Sequence, residues 1–246
     1  MLLCLDTSHG AAVALIDHGA DGASSHRPPT VLARGAGDDP RRHTEVLAPL
    51  IEAVLDEGLE RAGRTRADLT GLVVGTGPAP FTGLRVGLVT ARTLAAALGL
   101  PGYGVSALDA LARQAFDAAG EDPVDTVLVA ADARRKEVYW ARYAPAGDDD
   151  VRLLEGPAVD RPADLVARVR ENGDVPVTGR GADLYPAELG PLAAPDTILR
   201  ASAAVDPAVL GRLALARERA GTAQPTTPLY LRRPDIHTSS GRKRAS

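Results

Sequence analysis

The chain has 246 residues, 45% of them hydrophobic, and a formal net charge of -4. That is enough for one large or two small domains with a sizeable core. It excludes a protein that holds nucleic acid by overall positive charge. The single cysteine, Cys4, excludes an internal disulfide and a cysteine-built metal site.

The first six residues lack the basic start of a secretory leader, and no unbroken apolar run approaches the ~18 residues that span a bilayer. With one cysteine, these point to the reducing cytoplasm and no membrane. Residues 2–5 read as a strand, Asp6-Thr7-Ser8-His9-Gly10 as a turn, and 11–16 as a second strand. Residues 17–29, with Gly19, Gly22, Pro28 and Pro29, read as a long hairpin loop, and 31–34 as a third antiparallel strand. Residues 42–58 put Val46, Leu47, Leu50, Ile51, Val54 and Leu55 on one stripe of an amphipathic helix. Pro49 inside it predicts a bend or a loosened hydrogen bond, and Gly58 its end.

A buried strand follows at 72–75, then a rigid loop, Gly77-Pro78-Ala79-Pro80. Thr82 is placed to cap a helix over 83–98. In that helix Gly83, Gly87, Ala91 and Ala95 recur every four residues, a strip that admits close approach of another backbone. Residues 100–105 return as a strand, and Ser106 opens a further helix, with Asp109 three residues on.

The second half repeats the theme. Residues 127–131 are an apolar strand ending in Asp132; a basic turn follows, Ala133-Arg134-Arg135-Lys136, and 138–143 alternate as a strand. Strand, aspartate, turn, strand thus occurs at Asp6 and at Asp132, which implies an internal duplication. Residues 164–171 read as a helix, 175–178 as a strand, and Gly179-Arg180-Gly181 as a turn beyond it. Asp206-Pro207 opens a helix to about Arg219. Residues 228–232 are extended, and 234–246 are polar, basic and aperiodic, the pattern of a disordered tail.

The duplicated order resembles the ribonuclease-H-like architecture of the actin, Hsp70 and sugar-kinase superfamily. Five strings, in order, resemble the TsaB family: Leu5-Asp6-Thr7-Ser8; Arg42-His43-Thr44-Glu45 opening a proline-bearing helix; the run from Gly77 through Phe81-Thr82-Gly83-Leu84-Arg85-Val86 to Gly87; Asp132 through Glu137-Val138-Tyr139 to Trp140; and Pro228-Leu229-Tyr230-Leu231-Arg232. The family usually has Gly-Ser where this chain has Ala79-Pro80, and the loop at 17–29 is longer here. Pro80 has no N–H to offer a ligand.

The resemblance implies an α/β fold of two ribonuclease-H-like domains with mixed sheets flanked by helices. Residues 1–105 form the first domain and 106–233 the second, with helix 207–220 free to pack back on the first; 234–246 are the tail. It also implies a non-catalytic dimerization subunit that binds and activates a TsaD-type catalytic paralogue. That assembly attaches threonylcarbamoyl to N6 of the adenosine beside the tRNA anticodon. A TsaE-type ATPase resets it, and tRNA is met only through the complex. Alone, the chain is expected to pair as a homodimer.

Under this reading His43, Val46, Leu47, Leu50 and Val54 of one helix, with Leu84, Gly87, Leu88 and Ala91 of the next, are the interface candidates. Asp6, Thr7, Asp132 and Arg134 are the candidates for a nucleotide. No cofactor is expected to be tightly bound; ATP or ADP would occupy a composite site within the complex. The chemistry is that of a carboxylate holding a hydrated cation, with hydroxyls and turn amides meeting phosphate. The same residues also make an ordinary turn. Arg134, Arg135 and Lys136 can meet nucleotide or tRNA phosphate, or stand as a solvated hairpin tip.

The sister family carries two metal-binding histidines four residues apart on the helix that matches 42–58. Here the residue four after His43 is Leu47, so no metal is expected there. The rival readings are an autonomous ATPase or phosphotransferase of the same fold, and a peptidase. The missing glycine pair near 179–181 counts against the first. The absence of any His-Glu-x-x-His string counts against the second.

Overall fold

Alternate residues of β1 (Leu2–Asp6) enter different cores, Leu3 and Leu5 one, Leu2 and Cys4 another. A strand apolar on both faces requires cover on both sides. The computed structural model, which describes residues 1–19, 28–37, 43–120, 124–171 and 175–232, supplies it. β1 is the centre of a five-stranded sheet with β2 (Ala12–Asp17), β3 (Thr30–Ala36), β4 (Gly71–Gly75) and β5 (Gly102–Val105), in the order β3-β2-β1-β4-β5. The β1–β2 and β2–β3 pairs are antiparallel; β1–β4 and β4–β5 are parallel. Two crossover helices, α1 (His43–Ala62) and α2 (Phe81–Leu98), cover the Leu3/Leu5 face.

The second half reproduces this order. β6 (Val127–Asp132), β7 (Val138–Ala146), β8 (Asp150–Asp160) and the short β9 (Val177–Thr178) stand as β8-β7-β6-β9, matching the first four strands of the first sheet. Leu128, Ala130, Val138 and Trp140 face α4 (Pro162–Glu171) and α5 (Arg180–Leu184). Val127, Val129, Tyr139 and Tyr143 point the other way.

Between the sheets lie α3 (Ala107–Ala119) and α7 (Pro207–Arg219), with the short α6 (Asp196–Ala201) beside α3. Both sheets share this layer. Cys4 and Ile16 from the first and Val129 and Tyr143 from the second belong to one continuous core with Leu108, Leu111, Leu210 and Leu213. Gly211 allows the contact: a Cβ there would run into Cys4 Sγ and Ile16. The tip of the β7–β8 hairpin is gripped by the same layer. Arg113 donates to the carbonyls of Gly147 and Asp150, Arg212 pairs with Asp149, and Arg217 bridges Asp109 and Asp150 at 2.9 Å each.

Several local expectations change. α1 runs on through Pro49 and past Gly58 to Ala62. Gly58 marks a close approach rather than an end, since a Cβ there would press on Leu15, Leu32 and Ala33. α2 begins at Phe81, so Thr82 lies inside it; Pro80 is the capping residue and offers its carbonyl to Leu84 N at 3.2 Å. Gly179-Arg180-Gly181 is a helix start rather than a loop. Gly179 has φ +87°, and a Cβ on it or on Gly181 would meet the Ala130 carbonyl. β8 has no counterpart in the sequence reading. α2 is also, by length and composition alone, apolar enough to cross a membrane, though Leu84, Leu88, Ala91 and Ala95 are buried against the sheet. Most of the expected loop at 17–29, and the tail at 234–246, lie outside the described residues.

The caps at Ser106 and Asp206 are as expected, their side chains accepting from Leu108 N and Ala208 N. Cys4 is a fully buried core residue, and burial pushes its thiol up.

Candidate functional site

Two strand-ending aspartates begin the two matching turns. At the first, Asp6 Oδ1 accepts from Ser8 N at 2.9 Å and from Ser8 Oγ at 2.5 Å, a side-chain-closed turn. Asp6 Oδ2 is buried without a hydrogen-bond partner, facing Gly75, where any Cβ would collide with it. Burial raises this carboxyl from 3.8 to about 6, against the opposing pull of the two Ser8 hydrogen bonds. Thr7 is buried too, and its hydroxyl donates to Gly83 O of α2 at 2.8 Å.

At the second turn Asp132 accepts from Arg134 N at 2.7 Å and pairs with the Arg134 guanidinium at 3.3 Å. Arg134, Arg135 and Lys136 have φ of +60°, +55° and +61°. The left-handed region costs an L-residue with a Cβ about 1–2 kcal/mol, so three in succession need external support. Ala133 N donates to Glu137 O, and Glu137 N to Arg134 O. All three cationic residues are exposed.

The first turn continues into His9, whose Nδ1 lies 3.1 Å from Ser8 Oγ. Burial lowers its imidazole from 6.5 to about 4; Arg180 and Arg134 push the same way and Asp132 opposes. Charges on both sides of the second turn therefore reach a residue of the first. Residues after α7 also tie the two sides together. Gly104 N donates to Gln224 O, Leu229 N to Thr76 O at 2.8 Å, and Arg232 Nη1 to Ala133 O at 3.2 Å, with Arg232 paired to Glu137. On the way this strap stacks Tyr230 on Phe81, with ring centroids 5.2 Å apart, and takes hydrogen bonds from Arg85 and Arg92 of α2.

The two carboxylates differ: both oxygens of Asp132 are engaged by Arg134, whereas Asp6 is held by Ser8 through Oδ1 alone and its Oδ2 is left without a partner. Pro80 presents no amide to the loop between them. Arg134 and Arg180 are exposed cations whose charge acts on His9, and burial keeps that imidazole neutral.

The interface candidates divide. Leu47, Val54, Leu84, Leu88 and Ala91 are 1–3% exposed and fill the core between α1, α2 and the sheet. They are corrected from interface to core. Gly87 is likewise corrected: the small-residue strip packs on this chain's own Thr7, which a Cβ would strike. Val46 and Leu50 are half-buried over Gly37 and Gly35, so the α1 stripe is broad because the helix also covers the edge strand. The side chain of His43 lies outside the described residues.

What faces solvent on α2 is a different stripe, Thr82, Val89, Thr93, Ala96 and Ala97, with the half-buried Val86 at its edge. It carries no charge, and Val89 is 61% exposed. The helix's two arginines turn aside, onto Phe81 and Tyr230 and onto Thr226. Sequence reasoning missed this stripe, as it missed His9, Arg180 and the strap. The sparseness of charge in 81–98 was its one visible sign.

A family model described as TsaD, tRNA N6-adenosine threonylcarbamoyltransferase, matches residues 38–178. An uncharacterized protein of Mycobacterium tuberculosis is 39% identical over 208 residues, 83% of this chain and 82% of that one. The tRNA threonylcarbamoyladenosine biosynthesis protein TsaB of Escherichia coli is 34% identical over 148 residues, 60% of this chain and 61% of that one. The solved structure of YeaZ from Pseudomonas aeruginosa superimposes with a TM-score of 0.69 at 29% identity, covering 93% of this chain and 99% of that one. With the duplicated sheet order and the two aspartate turns, these findings agree on an α/β fold of two mixed sheets flanked by helices, and the chain belongs to the TsaB/YeaZ family.

Proposed function

We propose that this chain takes part in tRNA threonylcarbamoyladenosine biosynthesis as a non-catalytic subunit. It docks a TsaD-type catalytic paralogue and favours that partner's active arrangement by contacting it better than the inactive one. The E. coli and Haemophilus influenzae relatives named TsaB support the pathway. The observation that carries the docking role is the uncharged solvent face of α2. A long helix that keeps Val89 outward among uncharged residues and turns its arginines aside has the charge-poor composition of an interface centre.

The docking residues in this reading are Val86, Val89, Thr93 and Ala97, flanked by Val46 and Leu50, in place of the core leucines. Without the paralogue the same face pairs with a second copy. The cleft between the aspartate turns takes ATP or ADP only when the partner completes it, and a TsaE-type ATPase acts on the assembled pair.

Light scattering on the chain alone and mixed with its paralogue tests this. A one-to-one complex lost on Val89→Asp, with circular dichroism unchanged, is the expected result. No complex, together with ATP turnover by the pure chain, would favour the autonomous ATPase instead.

A further inference from the structure

The 201–206 segment that leads into α7 is held by one buried amide. Gln114 of α3 donates through Nε2 to the carbonyls of Ala201 and Ala204, and its Oε1 accepts from Asp206 N at 2.9 Å. The stretch so fixed does not close onto the first sheet. It stands off from the edge strand β3 and leaves a cavity of about 820 Å³. That lies within the roughly 300–1,000 Å³ of sites that hold small molecules.

Strand alternation decides which side chains reach the cavity. Gly35 of β3 faces Leu50 of α1, so Arg34 and Ala36 point to the opposite side, toward α7. Ala12 lies across from Ala36 in the β2–β3 pair. The buried Val205 and Val209 give the cavity an apolar floor, and Ala12, Ala36, Ala118 and Ala204 bring only methyl groups to its walls.

The charged lining is three arginines, Arg34, Arg200 and Arg212, against two aspartates, Asp117 and Asp206. Both carboxylates are engaged at both oxygens. Asp206 accepts from Ala208 N at Oδ1 and from Arg34 at Oδ2, 2.9 Å each. Asp117 accepts from Arg113 at Oδ1, 3.0 Å, and from Arg212 at Oδ2, 2.6 Å. An arginine fork carries five N–H donors, and the exposed Arg34 meets Asp206 through Nη1. Acceptors here are already supplied with donors, while the net charge of the lining is positive. That combination, over an apolar floor, complements a molecule with a negative head and an apolar body.

We propose that this cavity binds a small organic anion, its acidic head on the Arg34 guanidinium and its apolar body on Val205 and Val209. A cation meets the wrong net charge, and a neutral molecule of the same shape gains only the floor. None of the lining residues belongs to either aspartate turn. The cavity also lies on the other face of the first sheet from α1 and α2. It is thus separate from the docking face, and the inference does not rest on the function proposed above.

The test titrates the full chain with 8-anilinonaphthalene-1-sulfonate, an anion with an aromatic body, read by fluorescence. N-phenyl-1-naphthylamine, the same body without the sulfonate, is the comparison. The expected result is saturable one-to-one binding of the sulfonate, about tenfold or more tighter than the amine. Arg34→Gln should weaken the sulfonate about tenfold and leave the amine unchanged. Ala204→Trp, from an exposed position, should fill the cavity and abolish binding of both. If circular dichroism shows that this variant does not fold, Ala36→Trp fills the same space from β3. The sulfonate should raise the melting temperature of the wild type and not that of the filled variant. Val89→Asp, on the outward face of α2, should change nothing.

Equal affinity for sulfonate and amine would overturn the proposal, as would no saturable binding up to millimolar probe. Sulfonate binding that survives both Arg34→Gln and the filled cavity would also overturn it. So would binding lost on Val89→Asp alone, which would put the probe on α2.

Discussion

Gly87 of α2 lies so close to Thr7 that a single added methyl would strike the Thr7 hydroxyl. That hydroxyl meanwhile donates to Gly83 O one turn earlier in the same helix. The first turn is therefore seated on α2 through two glycines, and helix and cleft cannot move apart independently.

Gly87→Ala should accordingly destabilise the protein, although alanine is the better helix former by about 1 kcal/mol. A net loss of about 1–3 kcal/mol is expected from overpacking, measured by urea unfolding. A gain in stability would show that the Thr7 turn shifts freely.

The titration of the cleft has two opposing parts. Asp6 has a raised pKa in the folded state, about 6 against 3.8, so its contribution is full at low pH and is lost as pH rises through about 6. His9 has a lowered one, about 4 against 6.5, so its contribution is full above about 6.5 and is lost as pH falls through about 4. Asp6→Asn removes the first part alone. The variant should gain on the wild type by about 1–3 kcal/mol between pH 4.5 and pH 7.5. Denaturant melts at the two pH values measure it, and a flat difference would mean that the buried carboxyl titrates normally.

Val89→Asp and Leu47→Asp separate surface from core. Val89 is 61% exposed and Leu47 is 2% exposed. The first should leave the melting temperature nearly unchanged and abolish partner binding. The second should unfold the first sheet, because it buries an unpaired charge. Circular dichroism and light scattering on the pair give both readouts.

Arg217→Ala should cost about 2–3 kcal/mol. Its side chain, 14% exposed, sits between Asp109 and Asp150, and Asp109 also accepts from Tyr143 OH at 2.7 Å. Arg34→Ala should cost less than about 1 kcal/mol, since the Arg34 side chain in its pair with Asp206 is 57% exposed. Urea unfolding of both variants compares a half-sealed network with a surface pair.

The layered sheets were legible because short unbroken apolar runs ending in turn residues leave little else for 2–5 and 127–131 to be than strands buried on both faces. The duplicated aspartate turns were legible as repeated chemistry. β8 was not, since Gly156-Pro157 interrupts its pattern. Periodicity on α1 and α2 told which residues share a stripe, not what lies over it. Leu47 and Leu84 were therefore assigned to a partner when this chain's own sheet covers them. The influence of Arg180's charge on His9 depends on how the two halves are set against each other, which no local pattern encodes.

The layer formed by α3 and α7 has a mechanical consequence. In a fold of two similar halves the natural motion is a jaw that opens and shuts about its hinge. Here the hinge is packed solid: side chains from both sheets interlock around the same two helices, and the strap is stitched across the mouth. Any such opening would have to part this shared packing and break the strap's hydrogen bonds together.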